Sequence, residues 1–362
     1  MSFDFPKYVP PDFTLPGFLN APDAKYEPAP FDFVAPENFH STTIFPEYYK
    51  VSGEWILAEE SRMDCISVFE DPAIVVREFR EIKKGDLIFV GRTEEALEGI
   101  YVHSNAFVEE SDEEVDKFVF RSSRTRETAY SLDYDFLTEL LAYEKTNGHV
   151  TWVLGPACAF DIDSRGAFCK LIRNGYVDSI LAGNALATHD IEASLFNTAL
   201  GQDIRSQRSQ PNGHYNHLDA INLTRQHGGI KALVEKGIIT DGIMYECIKN
   251  DIPFVLTGSI RDDGPLPEVY GDAYTGQNKM RDQVKKSTTV ICMATMLHSI
   301  ATGNMTPSFR VMEDKTIRPL YFYSVDISEF VVNKLVDRGS LTVKTIVTNI
   351  QDFIVNISKR LG

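Results

Sequence analysis

The pattern of apolar and polar residues changes character near residue 148. Beyond it, uninterrupted apolar runs recur at Val150–Leu154, Val177–Ala182, Pro253–Thr257, Thr288–Met293 and Leu320–Val325. Strands without alternation are buried on both faces, as in a parallel sheet. Between the first two runs, Phe168, Leu171 and Ile172 share one face of a helix predicted over 164–174, with Gly175 as its stop. A second helix is predicted from Asp190, burying Ile191, Leu195 and Phe196 and stopping at Gly201. A third is predicted from Ser328 to near Gly339. This alternation predicts an α/β fold, a Rossmann-like doubly wound parallel sheet over 146–362.

Upstream the pattern is different. Short β-branched or alternating runs, Trp55–Ala58, Ala73–Phe79, Asp86–Val90 and Gly99–His103, are separated by glycines and charged turns. They predict a small β-rich N-terminal domain over 41–145. The acidic stretch Glu109–Asp116 reads as a solvated loop, and a helix over Asp133–Lys145 leads into the second domain. Residues 1–40 form an arm rich in Pro, Phe and Asp. Its prolines forbid a helix or a central strand, and its aromatics predict that it drapes over a folded surface.

In a doubly wound sheet, ligands bind beyond the carboxyl ends of the strands, so the residues after each run matter most. The turn Gly183-Asn184-Ala185 lies between a buried strand and a helix. Small residues there let backbone N–H groups approach an anion such as a pyrophosphate, or simply make a tight turn. Asp326 follows a strand directly. Its carboxylate suits the hydroxyls of an adenosine ribose, or a charge at a helix N-terminus. Arg261-Asp262-Asp263-Gly-Pro crowds two carboxylates, one of which could act as an acid or base or hold a substrate ammonium; a polar turn is the alternative. Arg62 could clamp a substrate carboxylate or form a structural ion pair. The dinucleotide fingerprint G-x-G-x-x-G is absent, which counts against a standard Rossmann dehydrogenase.

Composition narrows the classes further. The chain carries 36 Lys and Arg against 52 Asp and Glu, a net charge of −16. That balance disfavours nucleic acid and anionic membranes as partners. The five cysteines make no C-x-x-C pair, so neither a disulfide framework nor a zinc ribbon is predicted. Cys247 and Cys292 read as buried small hydrophobes. His189, His214, His217 and His298 lack an H-E-x-x-H arrangement, and no metal is predicted. No apolar run is long enough for a membrane span, and the acidic, proline-broken start is not a signal peptide. The expected home is the cytoplasm.

The segment Gly175-Tyr-Val-Asp-Ser-Ile-Leu-Ala-Gly-Asn-Ala-Leu-Ala-Thr-His-Asp-Ile-Glu resembles a signature of the archaeal-type ornithine cyclodeaminases. This module, named for a lysine-oxoglutarate reductase/saccharopine dehydrogenase (LOR/SDH) bifunctional region, is also fused to arginine dihydrolases in cyanobacteria. Further matching stretches are Asp241–Glu246, Gly258–Pro267, Ala294–Ala301, Gly303–Met305 and Asp337–Ser340. Glu60–Asp64 extends the match upstream. The resemblance implies bound NAD, with contacts at Asn184, Ala185, Asp263, Thr295, Met296, Leu297, His298, Asp326, Thr348 and Asn349. It also implies conversion of L-ornithine to L-proline and ammonia by transient hydride transfer to NAD. Asp262 or Asp263 would handle protons or the ammonium, and Arg62 would clamp the carboxylate. Asp326 would repel a 2′-phosphate, favouring NAD over NADP.

The segment Phe309–Pro319 looks like an insertion, and it leaves the exact amino-acid substrate open. Two other readings stay open: a net-redox amino-acid or opine-type dehydrogenase, and a non-catalytic NAD-binding regulator. Acidic enzymes of this size are often homo-oligomers, which is the expectation here.

Overall fold

A computed structural model describes residues 3–108, 131–262, 264–328 and 341–362. Its centre is a seven-stranded, wholly parallel sheet: β1 Val150–Leu154, β2 Ser179–Gly183, β3 Phe254–Thr257, β4 Val269–Tyr270, β5 Thr289–Met293, β6 Tyr321–Asp326 and β7 Thr342–Val347. The spatial order is β4-β3-β2-β1-β5-β6-β7. The chain winds outward from β1 in one direction, then returns and winds outward in the other. This reversal makes β1 and β5 the switch point of a doubly wound sheet.

The apolar runs are strands because both their faces are covered. Every residue of β1 and β5 is buried. Trp152 is fully buried in β1, and its indole N–H donates to the Tyr176 carbonyl at 2.9 Å. Fully burying a side chain of this kind contributes about 1.5–3 kcal/mol. Helices α1 Ser131–Asn147, α2 Ile162–Arg173, α3 Asn184–Phe196, α4 Ala273–Val284, α5 Met296–Met305 and α6 Ile350–Arg360 flank the sheet.

Two details differ from expectation. Helix α3 begins at Asn184, directly after β2, not at Asp190. Asp190 resembles an N-cap in sequence, but it is buried within the helix. Its carboxylate accepts from Arg165 Nε at 2.7 Å and from the backbone N–H groups of Ile243 and Met244. Tertiary partners therefore claim the carboxylate at the position where the sequence pattern starts the helix. Strand β7 and the hairpin Phe309–Val311/Ile317–Pro319 also escaped the sequence reading. The predicted helix from Ser328 and the acidic stretch Glu109–Asp116 lie largely or wholly outside the described residues.

The N-terminal region is β-rich. Lys25–Pro28, Leu87–Val90, Ile66–Glu70 and Ala73–Arg77 form one antiparallel sheet, and Glu54–Leu57, Glu47–Val51 and Ile100–Val102 another. The proline-rich segment supplies only an edge strand to the first of these, as a missing backbone N–H requires. It does contain one helical turn, Pro16–Leu19, with Pro16 at the first position, where no N–H is needed. Lys50 holds that turn by donating to the carbonyls of Phe18, Leu19 and Ala21 at 2.7–3.1 Å. Phe13 stacks on Trp55 at 5.1 Å, while Phe3 packs edge-on to Phe136 and Tyr321. The arm thus covers both the β-rich region and the parallel sheet.

The tightest constraint sits at the switch point. Gly155, just after β1, donates its N–H to Met293 O at 2.8 Å. A Cβ on it would stand 1.9 Å from the Ala294 carbonyl oxygen. Gly155→Ala is therefore expected to lower the unfolding free energy in urea by about 1–3 kcal/mol or more. Exposed Gly166 in α2, where a Cβ would meet nothing within 4 Å, is the control. Gly166→Ala is expected to raise stability by about 0.5–1 kcal/mol. Equal effects of the two would refute the backbone-contact explanation.

Candidate functional site

The carboxyl ends of β2, β3 and β5 meet around one side chain, His298, and that of β1 abuts the turn after β5 through Gly155. His298 lies in the first turn of α5. Its Nε2 is 2.8 Å from Thr257 Oγ1 at the tip of β3, and its Nδ1 is 3.1 Å from Thr295 Oγ1 beyond β5. Its ring packs on Gly183 at the tip of β2, where a Cβ would stand 2.9 Å from His298 Cε1. Burial pushes the imidazole pKa down, against smaller opposing effects of Thr257 and Asp262, so the ring is neutral at pH 7. A neutral imidazole has one donor and one acceptor nitrogen, and the two hydroxyls engage both. His298 is thus a strut that fixes three strand tips.

The small residues at these tips leave backbone exposed to a ligand. Helix α3 starts after Gly183 and α5 after Thr295, and neither N-cap makes a side-chain capping bond. Two helix N-termini are left with N–H groups suited to an anion. Ala294 adopts φ 52°, a left-handed conformation that turns the chain sharply from β5 into α5.

The other expected residues take distinct places. Asn184 is buried, and its Oδ1 accepts from Leu266 N at 3.0 Å and from the Thr188 hydroxyl at 3.3 Å. It therefore ties the loop after β3 to the start of α3. Ala185 is half-buried beside it. Met296 and Leu297 expose apolar surface at 45% and 63%. Such exposure at a polar rim fits a surface that a ring system covers. Asp326, at the tip of β6, accepts from Ser328 N at 2.8 Å through one oxygen. No hydrogen bond engages its other oxygen among the described residues. Thr348 donates its N–H to the Asp326 carbonyl at 3.1 Å. The exposed Asn349 caps α6, its Oδ1 accepting from Gln351 N at 2.8 Å.

Asp262 is half-buried in the loop after β3, and one oxygen accepts from Ser259 N at 2.7 Å. Its charge reaches His298, which places it at the same rim. Asp263 lies outside the described residues. Arg62 is fully buried, and its guanidinium donates to the carbonyls of Glu60 and Val76 and to Glu78 at 3.1 Å. Glu78 also pairs with Arg281 of α4. The structural ion pair weighed for Arg62 is the arrangement present, and it joins the β-rich region to the parallel-sheet region. The Arg62 Nε has no hydrogen-bond partner among the described residues.

Sequence reading missed Thr257 and Gly155. Each ends or follows an apolar run, and only the convergence of several strands reveals the role. His189 takes a structural place, with its Nδ1 2.8 Å from buried Glu192. Burial raises the Cys158 thiol to about 12, and Cys247 and Cys292 are likewise buried with raised values, as expected of inert packing residues.

Comparison with known proteins gives this geometry a lineage. Residues 135–357 match a family model described as arginine dihydrolase ArgZ-like, C-terminal, Rossmann fold. Ornithine cyclodeaminase from Methanopyrus kandleri is 41% identical over 346 residues, covering 95% of this chain and 79% of that protein. The crystal structure of a conserved LOR/SDH protein from Methanococcus maripaludis S2 superimposes with a TM-score of 0.84 at 38% identity, covering 94% of this chain and 98% of that one. The ternary complex of AgrE with ornithine and NAD+ gives a TM-score of 0.59 at 34% identity, over 96% of this chain but 46% of the longer AgrE. With its Rossmann-like sheet, its β-rich N-terminal region and this degree of identity, the chain belongs to the archaeal-type ornithine cyclodeaminase family.

Proposed function

We propose that this chain is an NAD-dependent ornithine cyclodeaminase-like lyase, which converts L-ornithine or a related amino acid to L-proline and ammonia. The observation that carries the reading is the convergence of three strand tips around His298, beside two helix N-termini without side-chain caps. Membership of the family, and a relative seen with both ornithine and NAD+, support it.

The residues fit the cofactor. The glycine at Gly183 and the open N-termini of α3 and α5 suit a pyrophosphate, and the free oxygen of Asp326 can accept from ribose hydroxyls. Met296 and Leu297 would cover a ring. When bound, NAD supplies a reversible hydride acceptor for the carbon bearing an amine.

The chain's own residues would do the rest. Asp262 has one oxygen fixed by Ser259 N, which leaves the other for a substrate. That oxygen can hold a substrate ammonium and accept its proton as the amine becomes a nucleophile. Asp263, next in sequence, is a second candidate for the same proton. Asn184 fixes the loop that carries both by its bond to Leu266 N. His298 holds the rim in one geometry without taking a proton itself, since both ring nitrogens are engaged.

Purified protein given L-ornithine and a trace of NAD+ is expected to release proline and ammonia in equal amounts, with no net NADH. Net NADH would make the protein a dehydrogenase instead. An NAD-dependent thermal shift with no turnover of any amino acid would make it a regulator. Asp262→Asn keeps an acceptor for Ser259 N while losing the base. It is expected to lower kcat by about 10²- to 10⁴-fold while NAD+ binding, followed by fluorescence, persists. An unchanged kcat would remove Asp262 from the proton step.

A further inference from the structure

A cavity of about 1190 Å³ opens at the other edge of the parallel sheet. Its wall includes His149, which precedes β1, Thr288, which precedes β5, and Arg318, near the start of β6. These are amino ends of strands five or six residues long, so this wall stands roughly 15–20 Å from the strand tips. The hairpin Phe309–Pro319, read in sequence as an insertion, supplies one side, and residues 5–10 of the N-terminal arm another.

The chemistry of its lining is unlike that of the chain as a whole. In a protein of net charge −16, Lys7, Lys286, Arg310, Lys315 and Arg318 line the cavity, against only Glu313 and Asp314. The first four of these cations form no ion pair within 4 Å among the described residues. Arg318 is 6% exposed and pairs with Glu144, which the hydroxyls of Thr288 and Thr289 also engage. Its guanidinium lies over Phe5, 4.2 Å from the ring centroid, while its Nε and Nη1 have no hydrogen-bond partner. Arg310 Nε is unpartnered as well. A buried charged donor left unpaired is costly, typically about 1–3 kcal/mol or more; Arg62 Nε and Arg281 Nε are unpartnered in the same way outside this cavity.

The field is visible in a neighbouring residue. Burial lowers the pKa of His149; Asp178 opposes this, and Lys286 and Arg310 lower it further. Aromatic rings of Phe5, Tyr8, Tyr48 and Tyr143 complete the lining and offer flat apolar walls beside the cations.

We propose that this cavity binds a small polyanion, a metabolite bearing phosphate or carboxylate groups, at a site separate from the strand tips. Arg310 and Lys286 meet the anionic groups, Arg318 adds positive charge to the wall, and the arm and hairpin enclose the remainder. The position of the cavity gives it a route to the reaction, because β1 and β5 run from its wall to the Gly155–Ala294 contact.

Calorimetric titration of the full chain with pyrophosphate, and separately with citrate, tests this in the presence of saturating NAD+. The two probes distinguish phosphate from carboxylate chemistry, and NAD+ occupies any anion site at the strand tips. At least one probe is expected to bind. Lys286 and Lys315 are exposed and unpaired, so the double variant K286Q/K315Q leaves the fold undisturbed; it is expected to weaken binding at least fivefold. Arg318→Met is expected to abolish binding, and K286Q/K315Q decides the matter if that variant does not fold. No binding of either anion would overturn the proposal. So would binding that the lysine substitutions leave unchanged, or that appears only when NAD+ is withheld.

Discussion

The site depends on how closely two parallel strands can approach beyond their last paired residues. At the ends of β1 and β5 the chain has no room for a side chain: Gly155 donates to Met293 O, and its α-carbon faces the Ala294 carbonyl. This contact brings the turn into α5 against the tip of β1. From there α5 projects His298 across β2 to Thr257 on β3. Four strand tips are thereby locked by one glycine contact and one imidazole. A larger residue at Gly155 would separate β1 from β5, and one at Gly183 would displace the ring.

The same economy holds the two halves of the molecule together. Glu78 of the β-rich region accepts from Arg62 of its own half and from Arg281 of α4 in the other. Placing a half-buried carboxylate between two guanidinium groups offsets part of the desolvation that each buried guanidinium incurs. Removing one partner would strand a charge, so this triad defends the docking geometry even where its net contribution is small. The N-terminal arm adds apolar contact, with Phe3 and Phe5 reaching Tyr321 at the start of β6.

Charge is distributed with purpose in this acidic chain. At the strand tips the available positive character comes from backbone N–H groups at helix ends, which suits a nucleotide without fixing its protonation chemistry. At the opposite edge the positive character comes from side chains. A chain of net charge −16 places around one cavity there four cations that form no ion pair among the described residues, at a cost that an anion would offset.

Much of this was legible in the sequence, for a physical reason. Strands buried on both faces must be continuously apolar, so five of the seven parallel strands announced themselves. The residues after them, Gly183-Asn184-Ala185, Asp262, His298 and Asp326, then marked the rim. Short edge strands left no such trace: β4 has two residues, and β7 keeps most of its side chains half-buried, which leaves room for the mixed Thr342–Val347 pattern. Side-chain roles were less legible still. Arg62 and Asp190 carry charges that a local reading turns toward ligand or helix start, yet both are claimed by partners distant in sequence. The sequence by itself determined the layered α/β architecture, the family and the rim, because those follow from the period and continuity of apolar residues and from local motifs. Only the tertiary structure decided which charges are spent on holding the fold and which remain free for a ligand, because a charge is spent only where folding brings its partner within hydrogen-bond reach.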